Sequence, residues 1–307
     1  MRTPSIMTLR PSRWAAATAT ALLISSANGF AEPSFDSELK LSAAPDEQGD
    51  PPPDRKLYLL PYDTTNSPMK YLEWLWKDPI NLVTRPIYWG AGEWTTFGIE
   101  AGVTGALFPL DDPVRDVILD NYSSSLNSSL RTVRDITGSG DYFFIAGGAL
   151  FGSGLIVGNE KLADTGFLAA ESVAYAGALS EGIKFLTGRE RPDSGKNQYQ
   201  FQGPGSGSSN SSFVSGEAIV AFAFASSVSE VWQNPWVTWP LYTFAGAAAF
   251  QRVYDNRHWL SDVVGAAFLG HAVGKELVHF HYRRDVDGVL QPYITRDTVG
   301  MQVAFRF

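Results

Sequence analysis

No cysteine occurs in the 307 residues, which excludes a disulfide framework and any metal centre built on thiolates. Basic charge is in deficit, with 24 Lys and Arg against 32 Asp and Glu and a formal net charge of −8. Loss of residues 1–31, which hold Arg2, Arg10 and Arg13 and no acid, would deepen that deficit, so no nucleic-acid partner is expected. The glycine-rich run from 203 is not followed by Gly-Lys-Ser/Thr, so a P-loop nucleotide cradle lacks its lysine. No internal repeat is evident. A mean hydropathy of −0.09 is low for a polytopic membrane protein. What is present is 44% apolar residues, enough for a substantial core in one large domain or two small ones.

The amino end divides by composition. Residues 1–31 combine three arginines, an apolar stretch over 14–24 and small residues before Ala27 or Ala31, the form of a secretory signal peptide. Export to a bacterial periplasm follows; an uncleaved anchor is the alternative, although the apolar run is short for a span of about 20 residues. Residues 32–56 form an acidic, Pro-rich linker that includes Pro51-Pro52-Pro53. An aromatic-rich extension occupies 57–93, with Tyr58, Tyr62, Tyr71, Trp74, Trp76 and Tyr88 among prolines and charges. Short helices or loops packed on the domain are expected there, ahead of an aromatic surface touching lipid.

Six apolar segments follow at about 94–110, 142–158, 165–186, 213–232, 236–250 and 259–278. They predict an all-α fold, a compact six-helix core bundle filling a domain over 94–282. If all six spanned a membrane after export, the pocket between the third and fourth would face the cytoplasm, so a soluble periplasmic bundle is expected. An integral-membrane arrangement stays as the alternative, because 142–158 is uncharged throughout. In the region 283–307, Val299, Met301, Val303, Phe305 and Phe307 alternate with Gly300, Gln302, Ala304 and Arg306. That two-residue period predicts a strand, in a short C-terminal β-hairpin folded against the bundle or touching the outer membrane.

The chemical signal is concentrated in three blocks. In the third, His258 and Asp262 are four residues apart, which on a helix puts them on one face with the carboxylate fixing the imidazole. Arg252 precedes them. The first block holds Lys184 and Arg191, whose separation is close to two helical turns, with Pro192 marking the expected helix end. In the second, Ser215 and Gly216 stand just before an apolar run, so hydroxyl and backbone N–H groups would lie at a helix N-terminus, a natural anion site. Cations, a helix start and an oriented His describe a phosphoryl-transfer pocket. The loop over 192–212 between the first two blocks reads equally as a lid or as a surface connection. His271 reads as a packed core residue, and His279 and His281 as capping or surface residues rather than metal ligands.

These blocks resemble the type 2 phosphatidic acid phosphatase superfamily, which also contains bacterial acid phosphatases and vanadium haloperoxidases. Its first motif, Lys, six residues, Arg-Pro, is matched by Lys184, Arg191 and Pro192. Its third, Ser-Arg, five residues, His, three residues, Asp, is matched by Arg252, His258 and Asp262, with Gln251 in place of the Ser. Its second, Pro-Ser-Gly-His, reads Val214-Ser215-Gly216-Glu217 here, so a carboxyl replaces the His that protonates the leaving group.

The resemblance implies a two-step, cofactor-free hydrolysis of phosphomonoesters or lipid phosphates and diphosphates. In it His258 attacks phosphorus, Asp262 orients His258, and Lys184, Arg191, Ser215, Gly216 and Arg252 hold the phosphate. Glu217 is the candidate substitute acid, expected to favour an acidic optimum. The partner expected is a phosphate ester or lipid phosphate, with contact to a membrane surface. A phosphate-binding pseudoenzyme and a vanadate-dependent haloperoxidase are the alternative functions.

Overall fold

A computed structural model of the chain describes residues 69–137, 141–206, 211–282, 288–294 and 299–305. The signal peptide, the linker and the first part of the aromatic extension expected from the sequence lie outside these residues. The sequence-predicted segments are helices. They are α2 (Ala91–Leu107), α5 (Asp141–Val157), α6 (Glu160–Thr187), α7 (Gly216–Trp232), α8 (Pro235–Tyr254) and α9 (Leu260–His281). Two further helices were not expected, α3 (Asp111–Asp120) and α4 (Ser124–Thr137), while α1 (Lys70–Thr84) lies in the extension where short helices or loops were expected. The carboxyl-terminal alternation forms β1 (Gly288–Ile294) and β2 (Val299–Phe305), an antiparallel hairpin in register from Gly288↔Phe305 to Ile294↔Val299. The packing of its side chains lies outside the described residues.

Local signals set the ends that matter for the pocket. Asn159 caps α6, accepting from Leu162 N at 3.0 Å, and Gly188 closes that helix in the left-handed region at φ 56°. A Cβ at this position would be strained there and would also collide with Ser206 and Gly203. The helix therefore ends at Thr187, four residues before Arg191, which is extended at φ −80° and ψ 156°. Lys184 and Arg191 thus do not share a helical face, contrary to the expectation from their spacing. Ser215 caps α7 by accepting from Ala218 N at 3.4 Å. At α9, Trp259 N donates to the Asp262 carboxylate at 2.8 Å, so the helix starts at Leu260 and His258 stands outside it.

The core lies where α6, α7 and α9 meet. Ala218, Ile219, Ala221, Ala225, Ala266 and Leu277 are essentially excluded from solvent. Small residues let the backbones close together: a Cβ at Gly270 or Gly274 would run into the α7 carbonyls of Ile219 and Ala223. Truncating a side chain as enclosed as Ile219 to Ala costs about 2–5 kcal/mol in such settings. Outside the core the surface is unusually apolar. Trp94 and Ile99 on α2, Phe144, Ile145 and Ile156 on α5, and Trp236 and Trp239 on α8 are all exposed, the last two at 88% and 72%. Among the described residues, no helix is long and apolar enough to cross a membrane.

Candidate active site

Three connections converge at one end of the core: the turn after α6, the segment leading into α7, and the turn from α8 to α9. The loop over 192–206 is held to the end of α6 by backbone hydrogen bonds, Glu190 N to Gln200 O at 3.0 Å and Gln202 N to Gly188 O at 3.0 Å. Ser212 N donates to Arg189 O at 3.0 Å, tying the second block to the first.

His258 is buried, and its Nδ1 lies 2.8 Å from the Ser212 carbonyl oxygen. A carbonyl accepts only, so Nδ1 carries the hydrogen and Nε2 is the ring atom that faces the pocket. Asp262, expected from its i,i+4 spacing to hold the ring directly, stands 3.7 Å from Nδ1. Its carboxylate is engaged elsewhere, accepting from Trp259 N at 2.8 Å, Ser212 Oγ at 2.5 Å and Arg189 Nη1 at 2.5 Å. Asp262 thus acts on the ring largely by fixing Ser212. Burial pushes its carboxyl up, but the contact with His258, the Arg189 charge and the Ser212 hydrogen bond outweigh that and hold it below the usual carboxylate range.

Arg189 is the residue that sequence reasoning left without a role. Wholly enclosed, it bridges Asp262 and Asp111, donating from Nη2 to Asp111 Oδ2 at 2.7 Å, from Nη1 to Ser261 Oγ at 2.7 Å and from Nε to Gln198 O at 3.1 Å. Its guanidinium carbon lies 4.2 Å from the Phe108 ring centroid and 5.6 Å from that of Trp259. Asp111 also accepts from Ser261 N at 2.8 Å and Ser261 Oγ at 2.6 Å. Two buried carboxylates on one guanidinium, with their other lone pairs met by N–H and O–H groups, satisfy the condition under which buried charge is tolerated.

The cationic side of the pocket is formed by Lys184, Arg191 and Arg252. Lys184 Nζ would lie 3.0 Å from a Cβ at Gly216, so it sits over the first residue of α7, and it contacts Glu181 at 2.7 Å. Arg191 Nη2 donates to Ser211 Oγ at 3.1 Å. Arg252 is buried, and its pKa is lowered by burial and by the charges of Arg191 and Arg257 against the opposing pull of Glu217 and Asp255. The Nε atoms of both Arg191 and Arg252 are buried without a hydrogen-bond partner among the described residues. Two orphaned guanidinium donors in one pocket leave room for an anion's oxygens.

Glu217 lies on this same cluster. Oε1 is 3.2 Å from Arg252 Nη2, and Oε2 is 3.6 Å from His258 Nε2. Burial pushes its carboxyl up, but the approach of His258, the Arg252 charge and its own backbone N–H pull it down to about 2. In the competition that the sequence left open, the cations prevail, and Glu217 is ionised rather than a standing acid. Away from this end, His271 Nδ1 lies 2.7 Å from Tyr242 Oη, His279 Nε2 3.5 Å from Glu230 and His281 Nε2 2.8 Å from Asp78. At the last residue of α9 the His281 side chain is enclosed and stacked on Trp74 at 3.7 Å, so of the capping and surface positions expected for it the surface one does not hold.

Residues 165–285 match the family model described as the PAP2 superfamily. Over 108 residues, 34% of this chain, the sequence is 32% identical to a lipid A 1-phosphatase of Porphyromonas gingivalis. The chain spans about a fifth of that relative's length, 21%. Among solved structures, similarity is found to the first transmembrane PAP2-type phosphatidylglycerolphosphate phosphatase from Bacillus subtilis, at 20% identity and a TM-score of 0.47, covering 60% of this chain and 92% of that one. The family match runs from near the start of α6 to just past the end of α9, taking in each segment that supplies a sequence-predicted site residue, and over this stretch the chain is similar to the PAP2 superfamily.

Proposed function

We propose that the protein is a phosphoric ester hydrolase acting on phosphates carried by lipids, through a phosphohistidine formed on His258. The observation that carries the reading is the pairing of a ring whose Nδ1 is tied to the Ser212 carbonyl with two arginines whose Nε donors are orphaned beside it. An oriented Nε2 facing a cation-lined anion site is what in-line attack on phosphorus needs. In the first step the lone pair of Nε2 forms the P–N bond while the P–O bond to the leaving group breaks. Arg191, Arg252 and Lys184 offset charge on the equatorial oxygens, with the N-terminus of α7 adding its partial positive charge.

The proton for the leaving oxygen comes from Glu217, which takes it up from solvent as the substrate's negative charge enters beside it. In the second step the Glu217 carboxylate takes a proton from water, the hydroxide oxygen attacks phosphorus, and the P–N bond breaks. Return of that proton to solvent restores the starting state. Charge stabilisation rests on residues of the chain, so turnover without added divalent metal is part of the proposal.

A lipid-borne substrate is supported by the exposed apolar residues of α2, α5 and α8, which suit contact with acyl chains or a membrane surface, and by the name of the lipid A 1-phosphatase relative. A phosphate-binding pseudoenzyme is the second reading, favoured by the ionised carboxylate against His258. The test is phosphate release in EDTA from a panel of lipid and soluble phosphates, with His258→Ala beside the wild type. Lipid turnover by the wild type and loss of turnover in His258→Ala, with vanadate binding kept, is the expected result. No turnover across the panel refutes the hydrolase and supports the pseudoenzyme, and normal turnover by His258→Ala refutes the nucleophile.

A further inference from the structure

Glu217 occupies more than the position of a missing His. Its carboxylate touches Arg252 on one oxygen and His258 Nε2 on the other, and it stands in the first turn of α7, where the helix terminus favours a negative charge. These are three of the groups that would receive a substrate's phosphoryl oxygens. The side chain retains only a fifth of its accessible surface, so it is not a solvated rim residue. Arg252 nevertheless keeps a buried Nε without a partner among the described residues, so the carboxylate satisfies part of the guanidinium fork and leaves the rest unmet.

We infer that Glu217 is a specificity-determining residue: a built-in anion that competes with phosphate for Arg252 and His258 and so screens the pocket against small free anions. This deepens the hydrolase reading and rests on it for the identity of the anion site. A phosphoryl group entering the pocket must separate Glu217 from Arg252 and then bear its negative charge nearby. Inorganic phosphate, sulfate and small soluble phosphate esters bring only their charge to that exchange. A phosphate on a membrane-held lipid brings in addition the apolar contacts and local concentration of its anchor, and it enters where the small anions are held off. The residue thereby selects for anchored phosphate monoesters and limits occupation by the released phosphate.

The experiment measures sulfate binding at pH 7 by calorimetry in the full chain, comparing wild type with Glu217→Gln and Glu217→Ala, each first checked for a folded helical spectrum. Sulfate is a dianion that is not hydrolysed here, so the readout is independent of turnover. Removing the carboxylate's charge is expected to tighten sulfate binding on the order of tenfold or more in both variants. The soluble-ester KM should fall in parallel, while the KM for a lipid phosphate in detergent micelles changes less. Sulfate binding no tighter than wild type in the folded variants overturns the inference, even if the wild type proves an active hydrolase. Tighter binding with no turnover by any of the proteins upholds the competing carboxylate as a property of the anion pocket and overturns only the hydrolase reading.

Discussion

Replacing Arg189 by Met tests whether the buried ion network organises the pocket. The substitution keeps an unbranched apolar stem against Phe108 and removes the guanidinium that joins Asp111 to Asp262, all three being essentially inaccessible to solvent. Breaking a buried pair by deleting one partner costs about 3–5 kcal/mol, because the remaining charge stays desolvated; here two carboxylates are left. For a domain of about 200 residues each kcal/mol moves the thermal midpoint by about 2–4 °C, so a loss of roughly 6–20 °C is expected. The same variant should lose turnover although it leaves His258 untouched, since Asp262 holds Ser212 Oγ and the Ser212 carbonyl holds the ring. Melting curves and single-turnover rates for Arg189→Met, Asp111→Asn and the double variant complete the cycle. Sharing one network, the two substitutions should be non-additive by about 0.5–3 kcal/mol. A cost under about 1 kcal/mol for Arg189→Met, well below the range for a broken buried pair, would refute the account, as would strict additivity.

Glu217→Gln should separate substrates by leaving group: an alkyl phosphate is expected to slow on the order of a hundredfold in kcat, and nitrophenyl phosphate, whose leaving group needs no proton, much less. Equal losses on both would remove Glu217 from proton delivery. Because the folded-state pKa of Glu217 is depressed to about 2, the stability it contributes is present above the unfolded value near 4.5 and lost as pH falls through about 2. Acid melts of the wild type should therefore steepen over that window, more than those of Glu217→Gln. Glu171 has the opposite sign. Burial, and then the neighbouring Asp78, raise it to about 9, so the folded state holds its proton more tightly and stability declines as pH rises between about 4.5 and 9. Its contribution reaches at most about 1.4 kcal/mol per pH unit, and Glu171→Gln should flatten that decline in alkaline melts. An unchanged slope would refute the upward shift of Glu171.

The core helices were legible because their apolar runs are long. The two missed helices lack such runs: α4 buries Leu130 within a sequence of serines, asparagine and arginines, and α3 presents only Val114 and Ile118 to the core. At the pocket, the sequence brought His258, Arg252, Arg191 and Lys184 to one place but gave two wrong reasons. Spacing alone put Lys184 with Arg191, and His258 with Asp262, on helical faces. Gly188, a natural helix stop, and Asp262, a carboxylate three residues after Trp259, were the boundary signals that argued otherwise. No local pattern predicts Arg189 with Asp111, because 78 residues separate them and only tertiary packing makes them partners. The substitution at Glu217 was visible, but its protonation was not, since burial and the neighbouring cations pull in opposite directions and only distances decide. With Arg252 at 3.2 Å and His258 at 3.6 Å, attraction exceeds desolvation. At the position where the family motif carries a His, this chain thus holds a carboxylate that is ionised at rest.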